Sequence, residues 1–131
     1  MKKKWAVMIV IILLIVGLCV FESVYIQNSF SYLYGELVKF EEKISVDENN
    51  IDSEENISIM KGLHSNWQKR SDNLKMIVWH TGMKEVEINL SRIQSYVMMN
   101  DFAEAIVELN ALKDFCMHYR DDFIITIENI L

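Results

Sequence analysis

The chain has 131 residues, 51% of them apolar, with four glycines and no proline, a composition that favours helices over a turn-rich β fold. The formal net charge is −6, and it is unevenly placed. Three lysines stand at residues 2–4, all nineteen acidic residues lie at or after Glu22, and the part from there on has a net charge of −9. Such a surface repels phosphate backbones, which argues against nucleic acid as a partner.

An uncharged apolar segment, residues 5–21 (WAVMIVIILLIVGLCVF), directly follows the lysines. Twelve of its seventeen side chains are Ile, Val, Leu or Phe, and together they favour bilayer insertion by about 4–7 kcal/mol. With residues 24–26 the helix covers roughly 30 Å, the thickness of a hydrocarbon core. We therefore assign residues 1–28 to the cytoplasmic lysines and a transmembrane helix, with Trp5 to about Phe21 in the membrane. Because the lysines precede the span, the N-terminus is expected in the cytoplasm and the C-terminal domain outside.

Two other processing routes share this pattern. A cleaved signal peptide also begins with charge and an apolar stretch, but the best peptidase site would use Gly17 and Cys19. A lipoprotein would be lipidated at Cys19, yet Leu18 stands where a small residue is expected. The uncleaved anchor is the interpretation carried forward.

Beyond the anchor, residues 29–45 keep helical spacing, with Leu33, Leu37, Phe40 and Ile44 three or four apart, and form a juxtamembrane helix. Residues 46–56 are acidic and rich in asparagine, which predicts a solvated loop. The loop carries five carboxylates but lacks the glycine and the ligand order of an EF-hand.

Residues 57–131 are assigned to an extracytoplasmic helical domain. A second helix is predicted from about Ser53 to His80, with Gly82 as its C-terminal cap. The third helix carries a stripe of four apolar residues four, three and four apart: Val86, Leu90, Ile93 and Val97. Asp101 and Glu104 resemble a capping box that opens a fourth helix with a stripe from Phe102 to Ile127.

The predicted fold is all-α, an N-terminal transmembrane helix followed by a small antiparallel helical bundle. The short links make successive helices antiparallel neighbours, and the stripe of the fourth helix is expected to face the second and third. A long hairpin of helices is the alternative arrangement.

No catalytic, cofactor-binding or metal site is predicted. His64, His80 and His118 have no spacing of three or four, which favours surface or capping roles. Trp67 and Trp79 are expected in core packing rather than in a ligand pocket.

The two cysteines and the two glycosylation patterns do not indicate a functional site either. Cys19 lies in the apolar segment and Cys116 on an apolar helical face far along the chain, so no disulfide between them is expected. The patterns at Asn56 and Asn89 matter only in a eukaryotic secretory pathway.

The region from Trp67 to Leu131 resembles a family of short, membrane-anchored proteins from Gram-positive, largely clostridial spore-formers, which has only a domain of unknown function. The residues that carry the resemblance are Trp67, Leu74, His80, Glu87, Leu90, Ile93, Tyr96, Asp101, Ala105, Leu109, Leu112 and Glu128-Asn129-Ile130-Leu131. The resemblance implies a bacterial inner-membrane protein and implies no activity. Proteins of this family are encoded beside small multi-pass membrane proteins, which hints at a membrane partner.

The leading hypothesis is a membrane-anchored structural or interaction protein of the cell envelope that binds another membrane or envelope protein. It follows from the anchor, the apolar stripes and the lack of catalytic motifs, and it predicts that the protein is not an enzyme. The rival is an extracytoplasmic ligand-sensing bundle. With four residues ahead of the apolar segment, a sensor would have to signal through a membrane partner. The oligomeric state is left open.

Overall fold

A computed structural model describes the backbone of residues 2–75 and 81–130, and the side chains of residues 2–73 and 82–118. The described residues form four helices and no strand, which confirms the all-α prediction. The helices are α1 (Lys2–Val46), α2 (Glu54–Lys75), α3 (Thr81–Met98) and α4 (Phe102–Ile130).

Helix α1 is continuous over 45 residues, about 68 Å, and its two halves differ in burial. Residues 2–25 have no fully buried side chain, whereas from Ile26 to Ile44 one side of the helix is buried. By length and composition α1 is able to cross a membrane, as a signal sequence also would. Only 6% of its most apolar 18-residue window is buried, so this part of α1 lies outside the core formed by the described residues.

The second half of α1 joins the other three helices in a closed bundle. Helix α1 contacts α2 and α4, and α3 contacts α2 and α4, so the chain runs up, down, up and down around a ring. Helix α4 therefore packs between α1 and α3. The expectation that its stripe faces the second and third helices was right for α3 and wrong for α2, whose place beside α4 is taken by α1. The reason is that residues 26–44 supply a fourth apolar stripe, which occupies the side of α4 that α2 was expected to cover.

The core side chains follow a heptad-like spacing on all four helices. Buried positions recur four and three residues apart, the pattern that lets helices of a bundle interlock along one seam. These positions are Ile26, Phe30, Leu33, Leu37, Phe40 and Ile44 on α1, Val86, Leu90, Ile93 and Val97 on α3, and Ala105, Leu109, Leu112 and Cys116 on α4. On α2 the corresponding positions are Met60, Leu63 and Trp67.

Aromatic side chains join all four helices near the end of the core that lies opposite the α1–α2 loop. The Trp67 ring of α2 meets the edge of Phe30 of α1, with ring centroids 5.2 Å apart. Its indole Nε1 donates a hydrogen bond of 3.1 Å to the carbonyl of Met83 in α3. Phe115 of α4 lies 6.3 Å from Phe30. The prediction that Trp67 packs in the core is confirmed, and Trp79 lies outside the described residues.

Most of the predicted helix ends are confirmed. The hydroxyl of Ser53 accepts from the backbone N–H of Asn56 at 3.2 Å, and the Asp101 carboxylate accepts from that of Glu104 at 3.2 Å. Both are side-chain N-caps. The prediction for Gly82 was wrong: it lies in the first turn of α3 rather than capping α2. The apolar stripe of α3 extends back to the buried Met83, the residue directly after Gly82.

Helix α3 ends in a Schellman motif whose asparagine also fixes the neighbouring loop. Asn100 has φ 55°, and Asp101 N–H donates to Tyr96 O at 2.9 Å. The Asn100 side chain accepts from the N–H of Ile51 at 2.9 Å and donates to Asn49 O at 2.8 Å. One residue therefore terminates α3 and holds the α1–α2 loop against it.

We predict that Leu109→Ala destabilises the full-length protein by about 2–5 kcal/mol, because truncating a fully buried leucine leaves a cavity. Small domains have about 5–15 kcal/mol in total, so much of the stability would be lost. The neighbouring Asn110 is exposed, and Asn110→Gln should stay within about 0.5 kcal/mol of the parent. Thermal melts in detergent followed by circular dichroism measure both variants, and equal melting of all three proteins would contradict a packed core at Leu109.

A second prediction concerns Asn100. Asn100→Gly keeps the left-handed backbone accessible but loses both side-chain hydrogen bonds, and should cost about 1–3 kcal/mol. Asn100→Ala loses the same bonds and adds backbone strain of about 1 kcal/mol or more, so it should melt below the glycine variant. Chemical denaturation of the wild type, Asn100→Gly and Asn100→Ala measures their free energies of unfolding, which should fall in that order. Unchanged stability of both variants would show that Asn100 does not hold the loop.

Candidate functional site

The end of the bundle where α1 meets α2 and α3 meets α4, called the tip here, consists of residues 46–53 and 98–101. Part of the acidic loop is buried in it, which the prediction of a solvated loop missed. Ile51 is fully buried and closes the end of the core. The buried Asn56 amide donates to Ile51 O at 3.1 Å and holds it there. The rest of the loop is exposed.

The exposed surface of the tip combines apolar and acidic side chains. Val46, Met98 and Met99 are 88%, 54% and 70% exposed. The carboxylates of the loop and of the first turn of α2 surround them: Asp47, Glu48, Asp52, Glu54 and Glu55. Residues 44–56 and 98–108 contain no lysine or arginine. The nearest cation along the chain, Lys43, forms an ion pair with Glu55.

A second surface is the groove between α1 and α2, near the opposite end of the bundle. It has a volume of about 360 Å³ and is lined by Tyr25, Tyr32, Asn66, Lys69 and Arg70. The Arg70 guanidinium lies over the Tyr32 ring, 4.8 Å from its centroid. Its Nη1 donates to the hydroxyl of the buried Ser29 at 3.2 Å. We call this the Arg70 groove; it places two cations, Lys69 and Arg70, side by side in a domain of net charge −9.

A third surface is the groove between α2 and α3, about 480 Å³ in volume, lined by His64, Gln68, Lys84, Glu87, Ile88, Ser91 and Arg92. His64 Nδ1 lies 3.2 Å from the side-chain oxygen Oε1 of Gln94, which accepts a hydrogen bond from it. The buried His64 Nε2 has no hydrogen-bond partner within the described part of the chain. Gln68 donates to Glu87 at 3.1 Å across the groove.

The residues examined for metal chemistry are not brought together. His118 Nδ1 donates to the Asp114 carbonyl one helical turn back, at 2.7 Å, while His64 lies on α2. His80 lies outside the described residues. Among the side chains that the structure describes, those of residues 2–73 and 82–118, no group of three from His, Cys, Asp or Glu is placed to hold a metal ion.

The cysteines are both free thiols. Cys116 is buried, and removal from water raises its pKa to about 12, because burial disfavours the thiolate. It therefore stays protonated and unreactive at neutral pH. Cys19 is exposed on α1. Asn56 is buried with its amide bonded to Ile51 O, so this glycosylation pattern lies in the fold interior.

Sequence reasoning missed all three surfaces. Each combines residues that lie far apart along the chain, such as Ser29 and Arg70. Periodicity assigns a residue to one face of its own helix and does not say which helix lies beside it. The exposed Met98-Met99 pair, directly before the helix-ending Asn100, was the one local signal available.

Neither the curated proteins nor the solved structures include a chain that matches this one. A family model does match, over residues 20–130. The match includes the whole bundle, from Ile26 of α1 to the end of α4, and leaves most of the apolar segment outside. Since it covers well over half of the chain, the protein belongs to the family described as Domain of unknown function (DUF4363).

Proposed function

We propose that this protein is a single-pass membrane protein of the bacterial cell envelope whose bundle lies outside the membrane and binds another envelope protein at the tip. The observation that carries the proposal is α1, in which an exposed apolar half continues without a break into a half packed in the bundle core. A helix of this kind needs two surroundings, an apolar medium for its first half and protein for its second.

Exposure on every face of the first half favours lipid as that medium. Four consecutive side chains, Ile9, Val10, Ile11 and Ile12, are each 50–54% exposed, and consecutive helical residues point in different directions. A single partner helix would cover one side, whereas lipid surrounds all sides. Polar groups near the end of the apolar segment are satisfied internally: the Ser23 hydroxyl donates to Cys19 O at 2.7 Å. Such bonds make a polar residue tolerable near hydrocarbon.

The distribution of charge supports an outward-facing tip. From Ile26 to Val46 the helix rises about 30 Å, so the acidic tip lies far beyond the Debye length of about 8–10 Å from the bilayer. Lys2, Lys3 and Lys4 stand at the other end of the apolar segment, where the positive-inside rule places cytoplasmic residues.

The chemistry of the tip favours a partner with an apolar contact surface and basic residues around it. Methionine side chains are flexible and polarizable, and they adapt to varied apolar surfaces. The carboxylates around Val46, Met98 and Met99 would attract a basic rim and repel an acidic one, which sets the association rate and the choice of partner. The hydrogen bonds of Asn100 hold this surface in place before binding.

A second candidate function is ligand sensing in the α2–α3 groove. The observation that favours it is the buried His64 Nε2, which lacks a hydrogen-bond partner among the described residues. A small ligand with a hydrogen-bond donor for this atom would satisfy it, and Lys84 and Arg92 in the lining favour one that also carries an anionic group. In this alternative a membrane partner passes the signal on.

The topology is tested with single cysteines in intact cells. Asn50→Cys should react with a membrane-impermeant thiol reagent, because residue 50 lies in the exposed loop at the tip. Lys3→Cys should not react until the membrane is permeabilised. The unmodified chain provides the background from Cys19 and Cys116. Labelling of residue 3 without labelling of residue 50 would reverse the proposed orientation, and labelling of neither would place the tip inside.

Partner binding is tested by photo-crosslinking in the same cells. A photoreactive residue at Met99 should give a discrete adduct, whereas one at the exposed Asn110 on the side of the bundle should not. Replacing Asp47 and Glu48 by Asn and Gln should lower the yield at Met99 several-fold, because it removes attraction for a basic rim. Equal adducts from both positions, or a yield that ignores the carboxylates, would exclude the tip as the binding surface.

A further inference from the structure

We propose that the Arg70 groove binds the phosphate of an anionic phospholipid headgroup. The inference deepens the membrane anchoring proposed above and rests on it. It identifies a ligand class and a binding site on the side of the bundle, separate from the tip.

The groove lies at the depth of the headgroups when the apolar segment spans the bilayer. From Trp5 to Tyr25 the helix rises about 30 Å, the thickness of the hydrocarbon core. A headgroup layer of about 5–8 Å per leaflet begins at that edge, so Ser29, about 6 Å beyond it, lies in the layer, and Tyr32, about 10 Å beyond it, lies just outside. Arg70 contacts both residues, so its guanidinium is held at the outer boundary of the headgroup layer, within reach of the phosphates.

The side chains of the groove have the chemistry that phosphate recognition requires. A guanidinium has five N–H donors in a planar fork that matches phosphate oxygens, and the Ser29 bond uses the Nη1 nitrogen. The contact with the Tyr32 ring restricts where the guanidinium can lie, because its Cζ is 4.8 Å from the ring centroid. Lys69 adds a second cation beside it, and Asn66 adds an amide one turn earlier on α2.

Preorganisation distinguishes this groove from scattered surface charge. Arg70 is half-buried and contacts two residues of α1, so less side-chain entropy remains to be lost on binding. Tyr25, half-buried at the membrane end of the groove, is an amphipathic ring of the kind enriched at bilayer interfaces. The outer domain as a whole is acidic and repelled by anionic lipid, so any attraction must be local to such a site.

The test uses the full-length protein in mixed micelles that contain equal amounts of phosphatidylglycerol and phosphatidylcholine, with bound lipids counted by native mass spectrometry. The wild type should retain phosphatidylglycerol preferentially. Arg70→Gln and Lys69→Gln should each lower that preference about fivefold. Arg70→Lys keeps the charge but loses the planar fork, so its preference for phosphatidylglycerol should lie between that of the wild type and that of the two Gln variants.

Lys61→Gln is the matched control, since it removes one exposed cation of α2 that lines neither groove. It should leave the lipid preference unchanged. Lys69 is exposed and its replacement does not disturb packing, so a loss with Lys69→Gln cannot be attributed to misfolding. Equal losses with Lys69→Gln, Arg70→Gln and Lys61→Gln, or no loss with any of them, would overturn the site.

Two further experiments distinguish lipid phosphate from free phosphate, and the proposed lipid site from the proposed membrane anchor. An excess of inorganic phosphate should not displace the bound lipid; displacement, with phosphate retained on lipid-free protein, would make a free anion the ligand and overturn the lipid assignment. Flotation of the wild type with phosphatidylcholine vesicles tests the anchor alone. If the protein floats but shows no preference for phosphatidylglycerol in the micelles, only the proposed lipid site in the Arg70 groove is overturned. If the protein does not float, the proposed membrane anchor and the lipid site are overturned together.

Discussion

The packing of α1 against the other three helices is the interaction on which the structure depends. Ile26, Phe30 and Leu33 begin a heptad stripe only a few residues after the apolar segment ends, and the stripe continues to Ile44. Because the helix does not break between its two halves, the position of the bundle is fixed relative to the apolar segment. Without this stripe, α2 and α4 would each expose a face to water.

The core is specified by more than apolar area. Phe30 touches Trp67 and Phe115 on two other helices, and Trp67 can enter the core because Met83 O accepts its N–H. A buried indole needs such a partner, since an unpaired N–H in the core costs about 1–3 kcal/mol. These contacts fix the vertical register of α1, α2 and α3, which the interchangeable aliphatic residues of a heptad seam define only weakly.

The two ends of the bundle differ in chemistry, and the helix directions explain how. Chain reversals at Asn49–Asn50 and Asn100 bring acidic loop residues and two methionines to one end. Helix α2 then runs back and brings Lys69 and Arg70 beside the part of α1 that follows the apolar segment. The proposed functions follow from this polarity: protein contact at the acidic, apolar tip and lipid phosphate at the cationic groove.

The sequence by itself determined the elements of this protein. Heptad spacing, the apolar segment and local caps at Ser53 and Asp101 act within a few residues, so the helices and most of their ends could be predicted. The prediction that Gly82 caps α2 was wrong because a glycine that suits a C-cap is also tolerated in the first turn of a helix. Only the tertiary structure decided that α4 lies between α1 and α3, that Ile51 closes the core, and that Arg70 meets Ser29 and Tyr32. Arg70 and Ser29 are 41 positions apart along the chain, and Ile51 and Asn100 are 49 apart. Such contacts depend on which helix lies beside which, and that is decided by the packing of whole apolar stripes rather than by any local pattern.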